Sequence, residues 1–136
     1  MRARADRATV PVERFEFATG DVTQAHEMLR KTYADHEVVL RGSAENFRYR
    51  QQTADAGVLA VDRIRHTMRM AVSTGPLDYL SSLVVVNGRL SVRAKRDETR
   101  LARNDVLLYR CGTPLSVDWD DLEVCRVRCL CRRPPG

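Results

Sequence analysis

The sequence predicts a mainly β protein, an antiparallel barrel or sandwich preceded by one N-terminal α-helix. One early segment repeats apolar residues at helical spacing, whereas some eight or nine later segments alternate apolar and polar residues as strands do. These later segments recur about every ten residues and are separated by Gly, Pro, Asn and Asp. A chain of 136 residues is long enough for one domain of this kind.

The helix is predicted at 22–34, after a short alternating strand, RFEF. Asp21 is the expected N-cap, and Gln24 three residues later completes the pattern of a capping box. An apolar stripe then recurs at near-helical spacing, formed by Val22, Ala25, Leu29 and Tyr33.

Beyond the helix the period changes to two. EVVLR at 37–41 and NFRYRQQ at 46–52 read as strands, and 58–72 reads as a longer one. In NFRYRQQ the alternation places Tyr49 and Gln51 on a buried face, and in 58–72 it does the same for His66 and Met68.

LVVVNGRLSVR at 83–93 predicts a β-hairpin, because Asn-Gly suits the two positive-φ positions of a type I′ turn. Strands are therefore expected at about 82–86 and 89–94. Further short strands are expected at 106–109, after a turn at Asn104-Asp105, and on both sides of Asp120-Asp121.

The composition excludes several classes of protein. With 43% hydrophobic and 30% charged residues it is typical of a globular chain. The longest apolar stretch, LVVV, is far shorter than the roughly 18 residues of a membrane span. The first twenty residues lack the apolar core of a secretion signal. We expect a cytoplasmic protein that does not associate with membranes.

The net charge of +5 is confined to the two ends of the chain. Residues 1–14 hold four Arg against two acidic residues, and 122–136 hold four Arg against one, so the intervening segment sums to zero. A nucleic-acid-binding domain would carry a basic stripe on its folded surface. The sequence therefore predicts a flexible basic arm at 1–14, a domain at 15–124, a basic, Cys-rich tail at 125–136, and no direct nucleic-acid binding.

A barrel of the cupin kind, a double-stranded β-helix, suits this pattern, and many such barrels are metal enzymes. Their metal sites need two His one residue apart on a strand, but the chain has only His26, His36 and His66. The cysteine cluster CRVRCLC lacks zinc spacing, and no nucleophile or phosphate-binding motif is present. We expect no catalytic residue, no metal and no cofactor.

The barrel interior is the remaining candidate site. Tyr49, Gln51, His66 and Met68 would line it and offer aromatic and polar groups within an apolar cavity, which is the usual make-up of a small-molecule site. The alternative is that these side chains only fill the barrel. A register error of one residue would exchange the inner and outer faces.

The order of features resembles the effector-binding domain at the N-terminus of AraC-type transcription regulators. The resemblance spans about 15–124 and is carried by four segments, FEFATGDVTQAHEMLRKTYADH, NFRYRQQTADAGVLAVDRIRH, GPLDYLSSLVVVNGRL and LARNDVLLYRCGTPLSVDW. Asn104 stands where the family often has glycine, and Asn tolerates the left-handed backbone.

This resemblance implies a cupin-like barrel that binds a small effector, forms a homodimer and controls a helix-turn-helix domain, for which we see no pattern in this chain. The leading hypothesis is a non-enzymatic effector-sensing and dimerisation module without its own DNA-binding domain. A small cupin-type enzyme and a non-binding structural interaction module are the alternatives.

Overall fold

The computed structural model describes residues 11–32, 36–41, 45–75, 79–109, 112 and 114–130. Within these ranges the chain forms one helix, α1 (Val22–Thr32), and nine strands. The strands are β1 (Glu13–Thr19), β2 (His36–Arg41), β3 (Tyr49–Asp55), β4 (Leu59–His66), β5 (Arg69–Thr74), β6 (Tyr79–Ala94), β7 (Asp97–Leu101), β8 (Val106–Tyr109) and β9 (Leu115–Leu130). The predicted mainly β fold with one N-terminal helix is confirmed. Most of the predicted basic arm and the last six residues of the predicted tail lie outside the described residues.

Two long strands, β6 and β9, pair with each other along almost their whole length and organise the sheet. The second part of β9 also pairs with β4, and the first part of β6 with β8, which gives one half of the sheet in the order β1-β3-β4-β9-β6-β8. The first part of β9 pairs with β5 and the second part of β6 with β7, which gives the other half, β2-β5-β9-β6-β7. All of these pairings are antiparallel, and the two halves enclose one core.

The expected closed barrel is not formed. Within the described residues the path of paired strands ends at β1 on one side and at β2 on the other, and these two strands do not pair. The reason is that β6 and β9 run through both halves of the sheet. These two strands alone connect the facing halves, so no pairing between β1 and β2 is needed to hold them together. The cupin-like arrangement of two facing halves is nevertheless present.

The Asn87-Gly88 dipeptide is a corner within β6, so the predicted hairpin is wrong. The register of β6 against β9 shifts on both sides of Asn87, as at a β-bulge. Gly88 has φ of +83°, and a Cβ there would overlap the carbonyl oxygen of Asp121. Asp121 is itself left-handed, with φ of +50°. Both long strands therefore bend at the same point, where the backbone of one lies against the other.

Other strand boundaries also differ from the prediction. The strand expected at 58–72 is two strands, β4 and β5, separated at Thr67-Met68. The two strands expected around Asp120-Asp121 are one, β9, because the bend at Asp121 does not interrupt the pairing. The boundary placed at 124 falls inside β9, whose later residues pair with both β4 and β6. The strand at 106–109 and the left-handed Asn104 are as expected.

The helix is capped as the sequence indicates. Asp21 Oδ1 accepts hydrogen bonds from the amides of Thr23 (2.8 Å) and Gln24 (3.2 Å). The Asp21 amide donates to Thr19 Oγ1, and the Thr19 hydroxyl donates to Gln24 Oε1. The Thr19 hydroxyl therefore bridges the Asp21 amide and the Gln24 side chain, which would bond directly in a standard capping box. Ala25 and Leu29 are buried against the core. Within the described residues no helix is long and apolar enough to cross a membrane.

Candidate ligand-binding site

A cavity of about 80 Å³ lies between the two halves of the sheet. Its apolar lining comes from both halves and from α1: Ile64, Leu83, Leu122 and Val124, then Met70, Val72, Leu90, Leu115, Val117 and Trp119, and finally Leu29. Pockets that bind drug-sized ligands usually measure roughly 300–1,000 Å³. The cavity in this structure is therefore small by comparison.

The cavity is polar only at the end remote from the corner at Gly88. Arg126 is the one charged side chain among the described residues that line it, and its strand position is opposite Leu83 of β6. Tyr79, Tyr109 and Thr74 line the same cavity, whereas Trp119 lies towards the corner. The site therefore has an apolar body with polar groups at one end.

Tyr109 and Arg126 are close enough to influence each other. Burial raises the pKa of the Tyr109 phenol well above its usual range, and the positive charge of Arg126 opposes this rise. Tyr109 is consequently a neutral hydroxyl that can donate a hydrogen bond. Thr74 Oγ1 is also buried and has no hydrogen-bond partner among the described residues.

A buried acidic group lies behind this end of the cavity. Asp62 has no exposed surface on its side chain, and the side chains of Arg126 and Arg128 are 13% and 17% exposed. Arg128 donates to Asp62 through Nε (2.6 Å) and Nη2 (3.1 Å). Nε of Arg126 is 3.9 Å from Oδ2 of the same carboxylate. Arg128 is the principal partner of Asp62.

A chain of hydrogen bonds runs from Asp62 along the inner face of β3. The Tyr49 hydroxyl donates to Gln51 Oε1 (2.6 Å), and Gln51 Nε2 donates to Thr53 Oγ1 (3.1 Å). The Thr53 hydroxyl then donates to Asp62 Oδ1 (2.8 Å). The chain satisfies polar groups that would otherwise be buried without partners.

His66 is packed among aromatic rings near the corner. It has no exposed surface, and the ring centroids of Phe47 and Trp119 lie 4.9 and 5.6 Å from that of His66. Its Nδ1 is 3.2 Å from the carbonyl oxygen of Met68, which assigns the proton to Nδ1 in the neutral ring. Burial lowers the pKa of His66 to about 4, so the ring is neutral at pH 7.

The four residues predicted from sequence are all buried, as the alternation indicated. Tyr49 and Gln51 belong to the hydrogen-bonded chain, His66 to the aromatic cluster, and Met68 precedes β5. None of them is among the described residues that line the 80 Å³ cavity. Their contact with a ligand remains a prediction.

Four residues that line the cavity were not predicted from the sequence: Arg126, Tyr79, Tyr109 and Thr74. Arg126 was assigned to a basic tail, although Val124 and Arg126 alternate with the outward Val127 as strand residues do. That alternation is the signal of a strand that could have been used. It was overlooked because two of the inward positions hold arginines, Arg126 and Arg128, which are usually exposed.

Within the described ranges no three His, Cys, Asp or Glu side chains are grouped as metal ligands would be. Cys125 is a free thiol on β9, and Cys111 and Cys131 lie outside the described residues.

Comparison with known proteins identifies the domain. A family model described as AraC-binding-like domain matches residues 25–131. The AraC-like transcriptional activator CuxR superimposes with a TM-score of 0.73 at 14% identity, over 87% of this chain and 47% of that one. This chain therefore spans about half the length of CuxR.

Cupin domains superimpose less closely. The cupin domain of Schizosaccharomyces pombe Cnp3 gives a TM-score of 0.52 at 9% identity, over 68% of each chain. An RmlC-like cupin from Shewanella frigidimarina gives 0.50 at 10% identity, over 71% of this chain and 86% of that one. At these identities the similarity establishes the cupin-like fold. No curated protein matched the sequence.

Proposed function

The chain belongs to the AraC-binding-like domain family, and on that basis we propose that it is the effector-sensing module of a cytoplasmic transcription regulator. The effector is a small molecule that binds between the two halves of the sheet. The observation that carries this proposal is the cavity itself, with apolar walls and polar groups at one end.

The module acts by binding and not by catalysis. Arg128 and Thr53 donate hydrogen bonds to the Asp62 carboxylate, and aromatic rings enclose His66. Neither Asp62 nor His66 is therefore presented to the cavity as an acid, base or nucleophile. A regulatory response requires the effector to favour one arrangement of the whole regulator over another.

A thermal-shift screen with sugars, aromatic acids and lipid-like compounds tests the proposal. A ligand present at about a hundred times its Kd stabilises the folded state by roughly 2.7 kcal/mol. Val117→Phe fills the cavity from β9 and is expected to abolish the shift, whereas Val39→Phe on the exposed face of β2 leaves it unchanged. A shift that survives Val117→Phe would place the binding elsewhere, and no shift from any compound would overturn the proposal.

Dimerisation is proposed through the outer face of the first half of the sheet. The register places Val61, Val127, Ser82 and Leu108 in one row across β4, β9, β6 and β8, and Leu59, Cys129 and Leu80 in the next row. Five of these seven side chains are large and apolar. All five side chains are exposed. A largely apolar face of this kind is typical of an interaction surface, and a second copy of the same face is its natural complement in a two-fold dimer.

A further inference from the structure

The charge of Arg126 is balanced within the protein. Its Nε atom lies 3.9 Å from Oδ2 of Asp62, and Nε of Arg128 lies 2.6 Å from the same oxygen. The Asp62 side chain has no exposed surface, and both arginines make further interactions. An arginine that has a buried carboxylate as its partner does not need an anion from a ligand. The polar end of the cavity is therefore not expected to select a negatively charged molecule.

Thr74 places a hydroxyl group without a partner at this end of the cavity. It is the last residue of β5, opposite Leu115 of β9, and it lines the cavity. Its Oγ1 atom is buried and makes no hydrogen bond to any residue that the structure describes. A polar atom in this situation loses its hydrogen bonds to water on folding without replacement. A ligand that hydrogen-bonds to Thr74 Oγ1 would supply the missing bond.

An uncharged group is the best match for the Thr74 hydroxyl. A hydroxyl both donates and accepts, so a carbonyl or hydroxyl oxygen of a ligand can pair with it. The adjacent walls are apolar, since Val72, two residues before Thr74, pairs with Val117 of β9, and both valines line the cavity. Among such walls a carboxylate would lose its hydration while Arg126 is already paired, whereas a neutral oxygen loses much less.

Tyr109 provides a second uncharged hydroxyl in the lining of the same cavity. Burial raises the pKa of its phenol well above the usual range, so the group stays protonated at neutral pH. A carbonyl or hydroxyl oxygen therefore meets hydroxyl groups that do not change their charge between pH 6 and 8.

We propose that the effector is a compact neutral molecule whose carbonyl or hydroxyl oxygen hydrogen-bonds to Thr74 while its apolar part lies against Val72 and Val117. This inference rests on the proposed function, because it names the chemical class that the same cavity accepts. The volume of about 80 Å³ limits the apolar part to a short chain or a small ring. Small ketones, alcohols and phenols belong to this class, whereas organic acids do not.

Butanone, cyclopentanone and phenol are probes of this class, and each has two matched controls. In the first control a methyl group replaces the oxygen, which gives 2-methylbutane, methylcyclopentane and toluene. In the second a carboxylate is carried on a similar skeleton, which gives butanoate, cyclopentanecarboxylate and benzoate. We expect at least one oxygen compound to bind roughly tenfold more tightly than both of its controls, because it alone satisfies Thr74 Oγ1 without introducing a charge. Calorimetry and the fluorescence of the single tryptophan, Trp119, which lines the cavity, measure the affinities.

Two substitutions assign the preference to Thr74. Thr74→Val replaces the hydroxyl by a methyl group, so the affinity for the oxygen compound should decrease about tenfold while that for the hydrocarbon does not decrease. Ser81→Ala is the matched control, because Ser81 Oγ is also buried without a partner among the described residues. Ser81 is not one of the described residues that line the cavity, so Ser81→Ala should leave the affinities unchanged.

The results separate this inference from the proposed function. Hydrocarbons or carboxylates that bind wild-type protein as tightly as the oxygen compounds would overturn the inference, and this comparison does not require a variant to fold. Equal effects of Thr74→Val and Ser81→Ala would also overturn it. Either result leaves an effector of a different class in the same cavity. Binding of none of the probes would show that the inference is wrong, and the thermal-shift screen would then decide separately whether the module has an effector.

Discussion

Arg128 of β9 and Asp62 of β4 are joined by two hydrogen bonds, from Nε at 2.6 Å and from Nη2 at 3.1 Å, although 66 residues separate them in the chain. Arg126, two residues earlier on the same face, stays 3.9 Å from the same carboxylate. Both arginines therefore neutralise Asp62, with Arg128 the nearer of the two and Arg126 also lining the cavity.

The different distances of Arg126 and Arg128 from Asp62 predict unequal effects of their substitution on stability. Arg128→Ala leaves the Asp62 carboxylate buried without its principal partner, so we expect a loss of about 3–5 kcal/mol in the free energy of unfolding. Arg126→Gln should have a smaller effect, because Nε of Arg126 is 3.9 Å from Oδ2 of Asp62, whereas Nε of Arg128 is 2.6 Å from it. Urea unfolding with an unchanged m-value measures both. Equal losses of unfolding free energy for the two variants would contradict the expectation that Arg128 is the principal partner of Asp62.

Gly88 should be required by the corner at which β6 and β9 bend together. In Gly88→Ala the methyl group would lie 2.6 Å from the Asp120 carbonyl oxygen and overlap that of Asp121, in addition to the strain of a positive φ. Gly57→Ala is the matched control, since Gly57 has φ of +90° but nothing within 4 Å of the added atom.

The two alanine variants separate backbone strain from the clash. Gly57→Ala should lower the free energy of unfolding by about 1–2 kcal/mol, and Gly88→Ala should lower it by about 1–3 kcal/mol more. Chemical denaturation of both proteins gives the comparison. A Gly88→Ala protein as stable as Gly57→Ala would show that the strands do not approach at this corner.

His66 should make the stability depend on pH in the acid range. Burial lowers its pKa in the folded state to about 4, against about 6.5 in the unfolded chain. The unfolded state then binds more protons between these values, so the free energy of unfolding should decrease as the pH falls from 6.5 to 4, by up to about 1.4 kcal/mol per pH unit. Above pH 6.5 this contribution should be constant.

His66→Phe removes the titrating group while keeping a ring among Phe47, Tyr49 and Trp119. The difference between wild type and variant in this pH range reports His66, because contributions from the other histidines cancel. An NMR titration of the imidazole should give a midpoint near pH 4. A midpoint near 6.5 would show that His66 is not buried as described.

The outer apolar face should control association. Val127→Arg places a charge in the centre of the row formed with Val61 and Leu108, and it should convert a dimer into a monomer of 15.5 kDa. Val39→Arg, on the exposed face of β2, is the control that should remain dimeric. Light scattering coupled to size-exclusion chromatography measures the mass. A monomeric wild-type protein would rule out this dimer.

Strand alternation allowed the inner and outer faces to be predicted from the sequence. Tyr49 and Gln51 are buried while Arg50 between them is exposed, because residues on alternate strand positions point to opposite faces. The capping of α1 by Asp21 was equally local and equally predictable. Features that depend on neighbouring residues in the chain could thus be predicted from the sequence alone.

Features that depend on pairing between segments far apart in the chain could not be predicted from the sequence. Asn87-Gly88 has the same local sequence in a turn and in a bulge, and only the crossing of β9 at Asp121 makes it a corner. Arg126 and Arg128 looked solvated, because the carboxylate that permits their burial lies far away at Asp62. The polar end of the cavity was missed for this reason.

The most direct test of an effector site between the two halves of the sheet is a methyl NMR titration with the best ligand from the screen. Saturable shifts are predicted for the methyl groups of Ile64, Met70 and Val124, which line the cavity, with those of Val39 and Val61 on the exterior unchanged. Shifts confined to Val39 or Val61, with the inner methyl groups unaffected, would contradict a binding site in the core.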